Sequence, residues 1–572
     1  MPMAKSSMKR IAGLICMAAV ILLCLADGRA RASATRDRAE SLSGNYLAAL
    51  VAGLSQDTDN AAFYYSEALK ADPRSAELID RSFVSLLADG QMNEAMRLAD
   101  AINKRNSGSG IAQLALGIKA IKEKNYTQAR LFLKKSNKSP NPDLTSSLLI
   151  AWSWLGSSNA KRALESIDAL GNDPTANAFR DMHGGLIAKI AGREDEAIGR
   201  LRTAYDSNPM SLRIVDFYGR VLAKAGKKDE ALSAYRDLQK ALPRQPIIAD
   251  AIHRLELNEP LTDDVTSVAD GAAEVLYGLG TFGSREGDEL ASLIYLRLAV
   301  WLNPTHAPAI LMLGDTYERM KQFESAIEVY QMMPPSSPLI EAAELQAGLD
   351  LEQIGRGDEA VAMLKKAIAS NPTSIDPLIS LGNLYRARKD FQNAYDAFEK
   401  AISLIDQPQP GHWSLYYSSG ITLERLKRWP EAEVRFKRAL ELSPGQPFVL
   451  NYLGYSWVDQ NINLEEAFKM LQKAVDQRPN DGFIVDSLGW AYYRRGEYEI
   501  AARFLEKAVE LRPADPTIND HLGDIYWRLG RTLEAKFQWN HARDLGPDPE
   551  DLPKILEKIE KGLPDEPKKS GG

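Results

Sequence analysis

Alanine returns every 34 residues along most of this chain. Ala61, Ala95, Ala129, Ala163, Ala197 and Ala231 form one run, and Ser292, Ala326, Ala360 and Ala394 form a second. Ala432, Ala467, Ala501 and Ala535 complete the series at spacings of 38, 35, 34 and 34. Random placement puts alanine at about one position in ten. Thirteen alanines and one serine in fourteen slots therefore mark a repeated structural unit. A unit of this length cannot bury its own apolar face, so it stacks on its neighbours rather than contributing to one large core.

Other residues keep fixed offsets from the slot. Glycine stands twelve before it at Gly117, Gly185, Gly219, Gly280, Gly314, Gly348, Gly382, Gly420, Gly489 and Gly523, and thirteen before it at Gly454. A second alanine follows seven after, as at Ala439, Ala474, Ala508 and Ala542, and proline twelve after, as at Pro444, Pro479 and Pro513. Between these anchors the apolar spacing is helical: Ala501, Phe504, Leu505 and Ala508 share one face. Proline ends the second helix of each unit, because it lacks an N–H and disfavours helix in the residue before it. The glycine and the slot alanine are expected to face each other where two antiparallel helices cross, and the second alanine to receive the next unit. Units between 76 and 180 keep the slot alanine but lose the proline and most of the second alanine.

Leu488-Gly489-Trp490-Ala491-Tyr492 and Leu522-Gly523-Asp524-Ile525-Tyr526, with Leu453-Gly454-Tyr455 beside them, resemble the Leu-Gly-x-x-Tyr first-helix signature of the tetratricopeptide repeat family. Ala501, Leu505, Ala508 and Pro513 match its second helix. The resemblance runs over fourteen units, from about residue 42 to 547. It implies an all-α, right-handed superhelical solenoid of about 14 antiparallel helix pairs, with a concave groove lined by first helices.

The slot spacing jumps to 61 residues between Ala231 and Ser292. The extra stretch holds a single helix near Ile247–Leu257 and the acidic, turn-rich run Asn258-Glu259-Pro260-Leu261-Thr262-Asp263-Asp264, too short for a domain. The expected organisation is a leader at 1–34, six units over 35–257, an acidic hinge at 258–270, eight units over 271–547, and a capping helix with a disordered tail over 548–572. A smaller insertion, Asp406–Gly411, lengthens one loop.

Lys5, Lys9 and Arg10 precede an apolar run from Ile11 to Ala26, and small residues follow at Ala30, Ala32 and Ala34. That order is the pattern of a secretory signal peptide. The alternative is an uncut inner-membrane anchor, although a 16-residue helix spans about 24 Å against the ~30 Å of a bilayer core. Cleavage after Ala34 takes the formal charge from −7 to −11 and removes both cysteines, Cys16 and Cys24. The expected location is the periplasm, with no further membrane span in the mature chain.

No basic excess is present to grip nucleic acid. Cysteine-ligated metal in the body of the chain is excluded. His183, His253, His306, His412, His521 and His541 form no helical metal pair in sequence, although His521 and His541 belong to one unit. Phosphate-loop, nucleophile-elbow and zinc-protease motifs are absent, so neither a catalytic residue, a metal nor a cofactor is expected.

What remains is surface. Groove-facing positions sit three before, and one, four and five after, the signature glycine. In the last three units these include Asn451 and Tyr455, then Asp486, Trp490, Tyr493 and Arg494, then Asp520, Asp524, Trp527 and Arg528. Rings among Asp, Asn and Arg suit an extended peptide, the rings supplying area and the polar groups holding its backbone. Earlier units offer Asp315, Glu318 and Arg319, then Asn383 and Arg386, then Tyr417, Glu424 and Arg425. The Lys/Asn/Lys set with which some relatives clamp a terminal carboxylate does not appear. The expected function is a non-catalytic scaffold that holds protein partners in envelope assembly or secretion. A polysaccharide-export or cell-wall accessory is the alternative.

Overall fold

The computed structural model describes residues 41–105, 108–136, 143–170 and 174–564. The leader at 1–34 and the tail beyond 564 lie outside the described residues. Among the described residues the chain is α-helical, with one short 3-10 turn and no strand. Helices follow one another as antiparallel pairs, from Leu42–Leu54 with Thr58–Ala71 to Pro516–Arg528 with Thr532–Asp544. Fourteen such pairs match the fourteen slots, with the lone helix Pro246–Glu256 after the sixth and Leu552–Lys561 after the last.

Every slot residue is buried, from Ala61 to Ala535. The serine at slot 292 is accommodated because its hydroxyl donates to the Gly280 carbonyl at 2.8 Å across the crossing. The slot residue does face the signature glycine, as the Ala467 carbonyl faces Gly454 and the Ala501 carbonyl Gly489, but the nearest atoms belong to a second, larger partner. A methyl added at Gly523 would lie 2.5 Å from Trp539 Cδ1, at Gly382 2.5 Å from Phe398 Cε1, and at Gly489 1.9 Å from Leu505 Cδ2. These partners stand four residues after the slot, one turn along the second helix, and all three are fully buried. The crossing is thus a glycine against a large side chain, with the slot alanine one turn away letting the backbones close.

Five before the slot, the turn between paired helices takes a left-handed residue: Gly90, Gly192, Gly226, Gly355, Gly496 and Gly530 in some pairs, Lys124, Lys321, Lys389 and Lys427 in others. Glycine reaches this conformation without the Cβ clash that lysine pays for.

The chain divides into two compact units, Met1–Ala343 and Glu344–Gly572. The division therefore falls in the Ile340–Gln353 helix and not at the acidic run 258–270. That run is pinned to the first unit. Lys189 Nζ donates to Asp263 at 2.6 Å, Arg213 to Asp264 at 3.3 Å, and Arg220 to the Thr262 carbonyl.

Within the first unit the segment from Thr262 to Tyr317 reaches groove-facing positions of the earlier pairs. Trp152, one after its unit's signature position, lies against Gly271, where a methyl would come within 2.2 Å of its ring. Lys122 donates to the Trp301 carbonyl at 2.5 Å, and Tyr317 donates to the Ala88 carbonyl at 3.1 Å. Ala88, Lys122, Trp152, Lys189, Asp216 and Arg220 all occupy groove-facing offsets, and each touches the segment from Thr262 to Tyr317 or its immediate ion-pair partners.

Candidate functional site

In the second unit the corresponding offsets open onto a cavity of about 480 Å³. Its walls come from four successive first helices, Trp413–Arg425, Pro447–Asp459, Gly482–Arg495 and Pro516–Arg528. Tyr417, Phe448, Tyr452, Tyr455, Phe483 and Ile484 supply most of the apolar lining. Asn451 adds an amide whose Oδ1 is buried without a hydrogen-bond partner. An unpaired carbonyl at the edge of an apolar cavity is a ready acceptor for a backbone N–H, and leaving it empty is costly.

Local sequence explains this shape. Asp481 and Asp515 cap their helices by accepting backbone N–H groups of Phe483 and Ile484, and of Thr517 and Ile518. Those caps fix the first helical turn, from which Phe483 projects into the groove half exposed, with the Arg512 guanidinium 4.1 Å from its ring centre. Phe448 repeats the arrangement one pair earlier, beneath Arg478 at 4.6 Å. Burial pushes the Tyr417 phenol up to about 12, against the pull of Arg386. Burial also raises Tyr455, with the Asp486 charge adding to it. Both rings therefore present neutral hydroxyls at neutral pH.

The ten groove residues expected from sequence divide into groups. Asn451, Tyr455 and Asp486 line the open cavity. Asp486 is already engaged by His521 at 2.9 Å. Burial would lower that imidazole, but Asp486 and the neighbouring carboxylates outweigh it and hold its pKa above the ordinary value. Trp490 is stacked between Tyr493 and His521, at 4.6 and 4.1 Å between ring centres, so it packs the wall instead of facing the space. Arg494 donates to the Asp459 carbonyl at 3.4 Å.

The last four are covered by the helix Leu552–Lys561 and the residues that follow it. Lys558 reaches Asp520 at 2.7 Å and Asp524 at 2.8 Å, and these carboxylates hold its ammonium charged despite burial. Arg528 donates to the Pro564 carbonyl at 2.8 Å, and Trp527 lies against Gly562.

Phe448, Tyr452, Phe483 and His521 were not among the expected groove residues. The sequence did carry a signal for two of them: Phe448 and Phe483 each stand six before their signature glycine, in consecutive units. His521 and His541 do not meet; His541 lies tilted by 45° against Phe537, at 6.2 Å between ring centres. Among the described residues no group of three or more His, Cys, Asp or Glu is placed to hold a metal ion, and no helix is long and apolar enough to cross a membrane.

Comparison with known proteins follows the same residues. Tetratricopeptide repeat models match residues 189–246, 345–411 and 378–447, a further tetratricopeptide repeat model matches 307–331, and a TPR repeat model matches 489–530. The chain is 29% identical over 194 residues to TPR repeat-containing protein PA4667 of Pseudomonas aeruginosa, covering 33% of this chain and 32% of that protein. It is 23% identical over 321 residues to the BBSome complex member BBS4 homolog of Drosophila melanogaster, covering 46% of this chain and 64% of that one. The matched stretches thus span less than two thirds of either relative. Among solved structures, the APC/C hetero-tetramer Cut9-Hcn1 aligns at 16% identity and a TM-score of 0.34, over 79% of this chain and 96% of the other. Paired helices at the repeat period, buried slot residues and matching repeat models together place this chain in the tetratricopeptide repeat family.

Proposed function

We propose that the chain is a non-catalytic adaptor, exported to the periplasm, that holds protein partners in the concave groove of its second unit. The observation that carries this reading is the contrast between the two grooves. Groove positions of the earlier pairs, at Ala88, Lys122 and Trp152, are taken by the chain's own later helices, whereas Asn451, Tyr455 and Phe483 border an apolar cavity. An extended segment fits there with an apolar side chain between Tyr417, Tyr452 and Phe483 and a backbone N–H on Asn451. Export rests on the order of charged, apolar and small residues over 1–34. Envelope assembly or secretion is the setting in which such a holder serves.

The test is capture of partners from envelope extracts by the full chain and by a variant carrying Asn451→Ala and Phe483→Ala. Each anchor is worth about 1–2 kcal/mol on truncation, so capture falls at least about tenfold while the helical circular dichroism is retained. Unchanged capture by the double variant overturns the groove assignment. Binding to a glycan array in place of any protein capture would favour the polysaccharide-export alternative. A reporter that is active only after export, fused after residue 40, tests export separately, and an inactive fusion contradicts it.

A further inference from the structure

After the last helix pair the chain turns back across the second unit. Asp548, in the segment that precedes the Leu552–Lys561 helix, meets Lys389 at 2.9 Å. Lys389 lies in the turn between Asp376–Ala387 and Phe391–Ser403, several pairs earlier in the array. Asp548, Glu550 and Asp551 form one side of a cavity of about 490 Å³, and Arg386, Lys389, Arg425 and Lys427 form the other. Lys389 and Lys427 occupy the same left-handed turn position in consecutive pairs, so stacking sets them along one edge. Arg425 also borders the aromatic cavity described above, which makes the two spaces neighbours in one groove.

The acidic strap is held lightly. Its Lys389–Asp548 pair leaves the two side chains 67% and 61% exposed, where solvent and salt screen the attraction. The hydrogen bond from Lys389, with the charge of Arg425 nearby, keeps the Asp548 carboxyl below its ordinary value, so the strap stays anionic at neutral pH. The basic side is not saturated by it. Arg386 Nε is buried without a partner, Arg425 pairs with its neighbour Glu424 at 3.6 Å, and Lys389 is the cation that reaches the strap in an ion pair.

We propose that the Arg386, Lys389, Arg425 and Lys427 edge is a docking site for an acidic segment of a protein partner, and that the strap Asp548–Asp551 is an internal mimic that such a segment displaces. This rests on the groove reading above and names the partner's chemistry. A segment carrying two or three carboxylates pairs with the edge while its next apolar residue enters the aromatic cavity. Four cations on a chain of formal charge −7, flanked by Asp548, Glu550 and Asp551, suit a short acidic run and not a long polyanion.

The experiment uses the full chain and a fluorescein-labelled, end-blocked peptide of four glutamates followed by leucine, read by anisotropy at low and moderate salt. The account expects binding that weakens with salt, tightens at least about tenfold in the strap variant Asp548→Asn, Glu550→Gln, Asp551→Asn, and is lost in the edge variant Lys389→Glu, Lys427→Glu. All five substitutions fall on exposed positions, so the fold is kept. No binding to the strap variant, equal binding of a lysine peptide, insensitivity to the edge variant, or equal competition by heparin would each overturn the proposal. Those results leave the groove reading standing or falling on its own capture experiment with Asn451→Ala and Phe483→Ala.

Discussion

At Gly523 a single methyl decides whether two helices can cross. The added Cβ would sit 2.5 Å from Trp539 Cδ1 and 2.5 Å from its Nε1, and Trp539 is fully buried with that Nε1 donating to Asp524 at 2.9 Å. The ring cannot retreat without breaking this bond. Gly523→Ala should destabilise the second unit by about 1–3 kcal/mol. At Gly348 the nearest atom is a Leu364 methyl at 3.2 Å, which yields easily. There the helical preference for alanine, about 1 kcal/mol, offsets the crowding, and Gly348→Ala should be near neutral. Urea unfolding of the two variants side by side checks the difference.

Histidine burial makes a second contrast at this scale. His183 is fully enclosed, receives the Trp152 indole N–H at 3.3 Å, and burial pushes it down to about 4 despite the pull of Glu274. Below about 6.5 the unfolded chain takes up a proton there that the folded chain refuses, so the first unit loses stability as pH falls toward 4, by up to about 3 kcal/mol. His183→Asn keeps an acceptor for Trp152 and should flatten that slope in melts between pH 7 and 4. A slope unchanged by the substitution would show that other groups set it. The glycines were legible because they recur at one offset. Their large partners were not, because Leu, Tyr, Phe and Trp share that position and no single residue type marks it.

Among the elements, Val268–Glu286 has the largest structural consequence. It begins the seventh pair, yet it also lies in the groove of the earlier ones, held by charge as well as by shape. Glu274 is buried, accepts two hydrogen bonds from Arg213 at 2.9 Å, and sits 2.8 Å from His306 Nε2. His306 Nδ1 accepts the Ala309 backbone N–H, which leaves Nε2 to donate to the carboxylate. Burial alone would raise the Glu274 carboxyl, but Arg213 and His306 hold it well below the usual range. Its stabilisation is therefore complete above the ordinary carboxylate pKa and is lost only as pH falls beneath it.

Glu274→Gln leaves Arg213 without its main counter-charge and should cost about 3–5 kcal/mol. Faster amide exchange in Leu212–Lys224 and Val268–Glu286, with the second unit unchanged, is the expected result. The helices themselves were readable from the 3.6-residue spacing and the repeat anchors. The acidic run was read as a hinge because its composition is that of a loop. Its partners Lys189, Arg213 and Arg220 lie forty or more residues away, beyond what local pattern can register.

At the scale of the molecule, one repeat builds two different grooves. In the first unit Ala88 is 1% exposed beneath Tyr317, while in the second Phe483 is 46% exposed at a cavity edge. The offset rule reaches Ala88, Lys122 and Trp152 on the filled face and Asn451, Tyr455 and Asp486 at the open cavity, but not Phe448 or Phe483. It did not tell the filled face from the open one, since that depends on which later helices of the same unit return to it. For the last pair, Lys558 and Pro564 cover residues that the rule marked as free. The groove of the earlier pairs is occupied by the chain's own helices, and the aromatic cavity of the second unit is open to a partner. Thiol labelling measures this directly, with Cys16 and Cys24 replaced by serine and a single cysteine introduced as Ala88→Cys or Phe483→Cys. A maleimide should label Phe483→Cys at nearly the rate of an unfolded chain and Ala88→Cys at least about a hundredfold more slowly, through local opening alone. Equal, rapid labelling at both positions would contradict it.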